Sequence, residues 1–171
     1  MQRKRLGCAT LVAVAACVTL ASAQSRRVLA ELGKLDPPLQ AAPLERTGEP
    51  SAVFDDAMMA YAARQYGRAA EVLRRFVTIE PDDAAGNFFL AASLMMTDDV
   101  GEAEDRLGVV IDAGATPFEY PARFVRAKAW IRLGKLDAAD RELELVAMST
   151  DTYARSAAEL LSKVRALKKR E

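Results

Sequence analysis

Histidine is absent from this 171-residue chain. Its absence removes the commonest general base and the commonest metal ligand, and no triad built on an imidazole can form. Cysteine is scarce as well. Cys8 and Cys17 are the only two, and both fall in an N-terminal segment that reads as removable. The remainder then has no thiol for a disulfide, a thiolate metal site or a nucleophile. No serine stands in a Gly-x-Ser-x-Gly elbow, and no glycine-rich loop precedes a helix in the phosphate-binding pattern. Nor do acidic residues alternate around a central glycine as a calcium loop requires. The sequence therefore points away from an enzyme and calls for no cofactor and no metal. Excess charge is also missing, with 24 Lys+Arg against 24 Asp+Glu. Loss of Arg3, Lys4 and Arg5 with the leader leaves 21 basic against 24 acidic residues, which gives no general attraction to nucleic acid or anionic lipid.

The one long apolar run, residues 6–20, follows that basic start and ends at Ala21-Ser22-Ala23. The pattern reads as a signal peptide over 1–23, cleaved before Gln24, and the run is short for a membrane span. Export to the periplasm is the expected fate. Val14-Ala15-Ala16-Cys17 resembles a lipoprotein box, so lipidation at Cys17 is the alternative, and only lipidation or a retained signal would put the protein on a membrane. Residues 24–50 read as a short helix followed by a proline-rich linker. Val28, Leu29, Leu32 and Leu35 predict a helix over 25–35, and Pro37, Pro38, Pro43, Gly48 and Pro50 describe an extended chain that serves as a tether or as a strap lying on the domain.

Residues 51–148 repeat one pattern three times. Tyr66-Gly67-Arg68-Ala69 precedes Leu73 and Phe76; Val100-Gly101-Glu102-Ala103 precedes Leu107 and Val110; Leu136-Asp137-Ala138-Ala139 precedes Leu143 and Val146. The alanines recur at intervals near 34 residues, and with Ala57, Leu90, Ala91, Leu94, Ala127, Trp130 and Pro81 the chain resembles the tetratricopeptide repeat. That resemblance implies an all-α, right-handed α-solenoid of three helix–turn–helix hairpins. The first hairpin is expected to place helices over 52–64 and 68–79. Asp56 and Arg126 depart from the pattern, standing where it has a large apolar residue.

Capping signals accompany the repeats. Asp82-Asp83 and Asp98-Asp99 stand at expected helix starts, Asp99 and Glu102 have the spacing of a capping box, and Thr116-Pro117 is a start signal for the third repeat. Residues 149–171 supply a capping helix and basic tail: Tyr153, Ala157, Leu160, Leu161, Val164 and Leu167 form one stripe, suited to covering the open apolar face of a stacked array.

In tetratricopeptide arrays the first helix of each pair lines the concave face. Carrying those positions over gives a partner-binding groove of Phe54, Met58 and Tyr61, then Phe88, Ala92 and Met95, then Phe124, Lys128 and Ile131, with Arg132 beside them. The resemblance thus implies a non-enzymatic scaffold of the bacterial cell envelope whose partner is another protein or a peptide, docked as an apolar segment or helix. Two alternatives remain at this level: an envelope lipoprotein acting as an assembly component, and an accessory ligand-binding subunit with a pocket between groove and strap. The same residues also have a plain structural reading as core, or as surface covered by the N-terminal strap.

Overall fold

The computed structural model describes residues 23–37 and 49–169. The expected leader up to residue 22, with Cys17, and most of the proline-rich linker lie outside the described residues. A helix over 23–32 (α1) is followed by α2 (Glu49–Ala62), α3 (Tyr66–Ile79), α4 (Ala84–Met96), α5 (Val100–Asp112), α6 (Glu119–Arg132), α7 (Leu136–Ala147) and α8 (Ala154–Lys168). Among the described residues there is no strand. From α2 to α8 each helix packs mainly on its neighbours in sequence, as an α-solenoid requires, and α4 also touches α6.

The repeat positions are the core. Ala57, Ala69, Leu73, Phe76, Leu90, Ala91, Ala103, Leu107, Val110, Ala127, Ala139, Leu143 and Val146 are all fully buried. Small residues at the helix crossings let backbones approach, and the larger ones fill the layer beside them. Helix α4, which is apolar all round its circumference, occupies the centre, and every residue from Ala85 to Met95 is buried. Helix α6 divides its faces. Ala122, Val125 and Ala129 join the core of the first two hairpins, while Phe124, Ala127 and Ile131 join α7 and α8 in a second core.

The turns inside the three hairpins share one device. Arg64, Asp98 and Gly134 have φ of 59°, 70° and 73°, and the next residue's N–H returns to a carbonyl five positions back: Gln65 to Ala60, Asp99 to Leu94, Lys135 to Trp130. This is the Schellman arrangement, which satisfies carbonyls left open at a helix end.

Helix starts differ from the sequence expectation in specific ways. Helix α2 begins at Glu49, so Pro50 sits in its first turn rather than in the linker, a position where its missing N–H costs nothing. Asp83 does cap α4, accepting from Gly86 N–H at 2.6 Å. Asp99 and Glu102 form no capping box on α5: both carboxylates turn to Arg74 on α3, where Glu102 accepts three hydrogen bonds at 2.6, 3.0 and 3.2 Å. An inter-helix guanidinium adds a full positive charge and a fork of N–H groups to what a single backbone N–H offers a carboxylate. Thr116 does not cap α6 either. Its hydroxyl accepts from Phe118 N–H in a local turn, and the helix starts later, at Glu119. Helix α1 stops at residue 32, short of Leu35, because Gly33 opens a turn.

The array is closed by α8, whose Ala157, Leu160, Leu161 and Val164 are buried against the last hairpin. Its basic face meets the acidic face of α7. Lys168 bonds Asp137 at 2.7 Å and Asp140 at 2.8 Å, and Arg165 bonds Asp140 and Glu144, each at 2.9 Å. The departures from the repeat pattern are paired too: Asp56 with Arg68 at 2.9 Å, and Arg126 with the buried Glu142 at 2.7 Å.

Candidate binding groove

Helices α2, α4 and α6 bring the ten groove residues to successive positions, but the trough they line is not open. Phe88, Ala92, Met95 and Ile131 are fully buried, and Phe54, Tyr61 and Phe124 nearly so; only Met58, Lys128 and Arg132 keep partial exposure. Ring contacts tie the first part together. Phe54 lies 5.2 Å from Phe76, Tyr61 lies 5.3 Å from Phe89, and Phe88 lies 5.2 Å from Phe118. Burial pushes the Tyr61 phenol well above its ordinary range, with Tyr66 and Tyr153 adding to the shift.

The eight apolar residues among the ten belong to two clusters. Phe54, Tyr61, Phe88, Ala92 and Met95 share the core of the first two hairpins, with Met58 packed against it, whereas Phe124 and Ile131 share the second core with α7 and α8. The N-terminal segment spans both. Leu35 is buried in the first cluster, and Leu29 and Leu32 pack on the second. Between them the segment sits flush on α6: a Cβ at Gly33 would lie 2.3 Å from Arg132 Cγ and 2.7 Å from the Lys128 carbonyl oxygen. The segment up to Pro37 thus lies as a strap on the array, while residues 38–48, which hold most of the proline-rich stretch read as a tether or a strap, lie outside the described residues.

The basic corner is engaged. Lys128 donates to the Lys34 carbonyl at 2.7 Å and lies 5.1 Å over the Phe124 ring. Burial lowers the Lys128 pKa, and the nearby Asp36 carboxylate offsets part of that shift. Arg132 donates to Met95 O at 2.7 Å, closing the end of α4, and pairs with Asp98. Beside the strap lies a cleft of about 630 Å³ between α6 and α8. Glu31, Lys34 and Asp36 of the strap face Phe124, Lys128, Tyr153, Glu159 and Lys163 across it, so its charges are mixed. Tyr153, placed only in the capping stripe by its spacing, also completes the groove, 5.0 Å from Phe124. Among the described residues no group of His, Cys, Asp and Glu could hold a metal ion, and no helix is long and apolar enough to cross a membrane.

No protein-family profile and no curated protein matches the chain by sequence. Solved structures do match. The type III secretion chaperone SycD of Yersinia enterocolitica, in complex with a peptide of the translocator YopD, superposes with a TM-score of 0.62 at 15% identity, covering 68% of this chain and 92% of that one. The first TPR of Spaghetti (RPAP3), bound to the HSP90 peptide SRMEEVD, gives 0.61 at 16% identity, with 70% and 93% covered. The fold is of the tetratricopeptide type. A T3SS complex from Aeromonas hydrophila gives 0.66 at 16% identity, with 71% and 84% covered. Likeness at such identities concerns the tetratricopeptide fold alone, and residue roles rest on this chain's own geometry.

Proposed function

We propose that this tetratricopeptide-type protein is a non-enzymatic scaffold that docks an apolar peptide or helix of another protein against α2, α4 and α6. The observation that carries this reading is the strap, because α6 already holds a short apolar segment, with Gly33 seated against its backbone and Leu29, Leu32 and Leu35 reaching the two apolar clusters. Peptide complexes of two neighbours in fold support the same mode. A preformed stack orders its side chains in advance, so little ordering cost falls on the scaffold when a partner binds. The cleft beside the strap has the size of a small-molecule site and supports an accessory ligand-binding role as the second reading.

The setting we propose is the bacterial envelope, on the strength of the leader pattern in residues 1–23. Intact mass of the mature chain checks it. A Gln24 start supports export and cleavage, and a lipidated Cys17 turns the reading to a membrane-held assembly component.

The scaffold reading is checked with a photo-crosslinking residue placed at position 128 and, as a control, at the exposed Arg75 position. Adducts from 128 whose partner segment is apolar are the expected result. Adducts from position 75 alone would move the binding surface out of the groove.

A further inference from the structure

We propose that residues 29–35 are a built-in occupant of the partner site, and that the external partner is a helical segment with the same layout: large apolar residues three apart, a glycine after the second, and a helix-end carbonyl offered to Lys128. The proposal rests on the scaffold reading and adds to it the chemistry of the partner.

Three features define the layout. Leu29, Leu32 and Leu35 recur every third residue and reach both apolar clusters, so one short segment touches the two parts of the core that share α6. Gly33 is required by contact. The Lys128 carbonyl oxygen that a Cβ would meet at 2.7 Å is backbone in mid-helix and has no rotamer by which to withdraw. Lys128 donates to Lys34 O just past the end of α1, where carbonyls lack partners within the helix and a positive charge is favoured.

The strap is also built to leave. Leu29 and Leu32 remain half-buried, whereas Leu73, Leu107 and Leu143 of the repeats are fully buried. Residues 23–28 are exposed throughout. A tethered occupant of this kind competes with every external segment, and the apparent affinity of the partner falls by the fraction of molecules in which the strap is docked.

The test uses the full chain and a labelled synthetic peptide of residues 26–37, with fluorescence anisotropy as readout. Gly33→Ala in the chain weakens the tethered strap, so the wild-type peptide is expected to bind this variant about tenfold or more tightly than it binds the wild-type chain. Leu29→Ser/Leu32→Ser in the chain is expected to act in the same direction, and it serves should Gly33→Ala disturb folding. A peptide itself carrying Gly33→Ala is expected to lose most binding, and adding Lys128→Met to either chain variant is expected to weaken the wild-type peptide. Equal binding of the peptide to wild type and variants would overturn the proposal, as would undiminished binding of the altered peptide. Sedimentation that shows wild-type dimers formed through exchanged straps would overturn the intramolecular assignment. Adducts from position 128 together with equal peptide binding would sink the strap proposal and leave the scaffold reading standing. Adducts confined to position 75 would sink both.

Discussion

Arg126 and Glu142 form a 2.7 Å ion pair between α6 and α7, at a place where the repeat pattern is apolar. The pair is one step in a longer chain of contacts. Arg123 joins Glu142 at 3.3 Å, the Arg126 guanidinium stacks 4.7 Å over Trp130, and Trp130 donates to Glu104 at 2.7 Å. Burial raises the Glu104 pKa, but the bonds from Lys135 and Trp130 outweigh it and hold the carboxyl below its ordinary value. An arginine is thus accommodated in the third repeat by a buried carboxylate and an aromatic face.

Removing the carboxylate should expose how much the hairpin depends on it. Glu142→Ala leaves two partly buried guanidinium groups without their common partner, at a cost of about 2–4 kcal/mol. Arg126→Met/Glu142→Leu should recover most of the loss, since an apolar pair restores the pattern of the other repeats. Chemical denaturation of the three proteins measures both effects, and a neutral Glu142→Ala would mean the network does not form.

Gly86→Ala sets two effects against each other. Alanine gains up to about 1 kcal/mol of helix propensity over glycine. The new Cβ, however, would lie 2.4 Å from Cε1 of Phe76, whose ring is fully buried. Overpacking of this kind costs about 1–3 kcal/mol, so the net change should be a loss in urea midpoint at constant slope.

Arg64→Gly should stabilise the protein by about 0.5–1 kcal/mol, because Arg64 is exposed and holds a left-handed conformation that costs a side-chain-bearing residue. Asp98→Gly should gain less, since it also breaks the pair with Arg132. Equal melting shifts for the two variants would contradict that difference.

Ala103→Leu and Ala139→Leu each place a branched side chain at a fully buried helix crossing, and each should cost about 1–3 kcal/mol. Thermal melting of either variant at the wild-type temperature would refute the packing described for the second helices of the repeats.

The acid limb of stability should contain a contribution from Glu102. Its hydrogen bonds from Arg74 hold its carboxyl below the ordinary 4.5, against an opposing effect of burial. A carboxylate lowered in the folded state contributes stability that is present above the unfolded value and is lost as pH falls through the folded one. Because Arg74 is partly exposed, solvent screening limits the contribution to about 0.5–1 kcal/mol at neutral pH. The stability gap between wild type and Glu102→Gln should therefore be full above the ordinary carboxylate range and narrow as pH falls below it.

Residue spacing alone located the hairpins and the closing helix. The alanines at 69, 103 and 139 and the leucines at 73, 107 and 143 are each fully buried at equivalent places, and the stripe through Ala157, Leu161 and Val164 is the face that α8 buries. Such features are legible because helical period and close crossings depend on residues a few positions apart, repeated at a fixed interval.

What only the tertiary structure decided are pairings between distant residues. Asp99 and Glu102 have the local spacing of a capping box, yet both turn to the Arg74 guanidinium from the preceding hairpin. Phe88 and Met95 occupy the expected groove positions, but neighbouring helices enclose them, and sequence periodicity does not distinguish a lining residue from a covered one. Lys128 reaches Lys34 O across 94 positions of chain, and Gly33 settles against the backbone of α6. The sequence by itself determined the repeating helices, because their period and crossings are local; how the strap is seated was decided by contacts between segments that meet only once the array has folded.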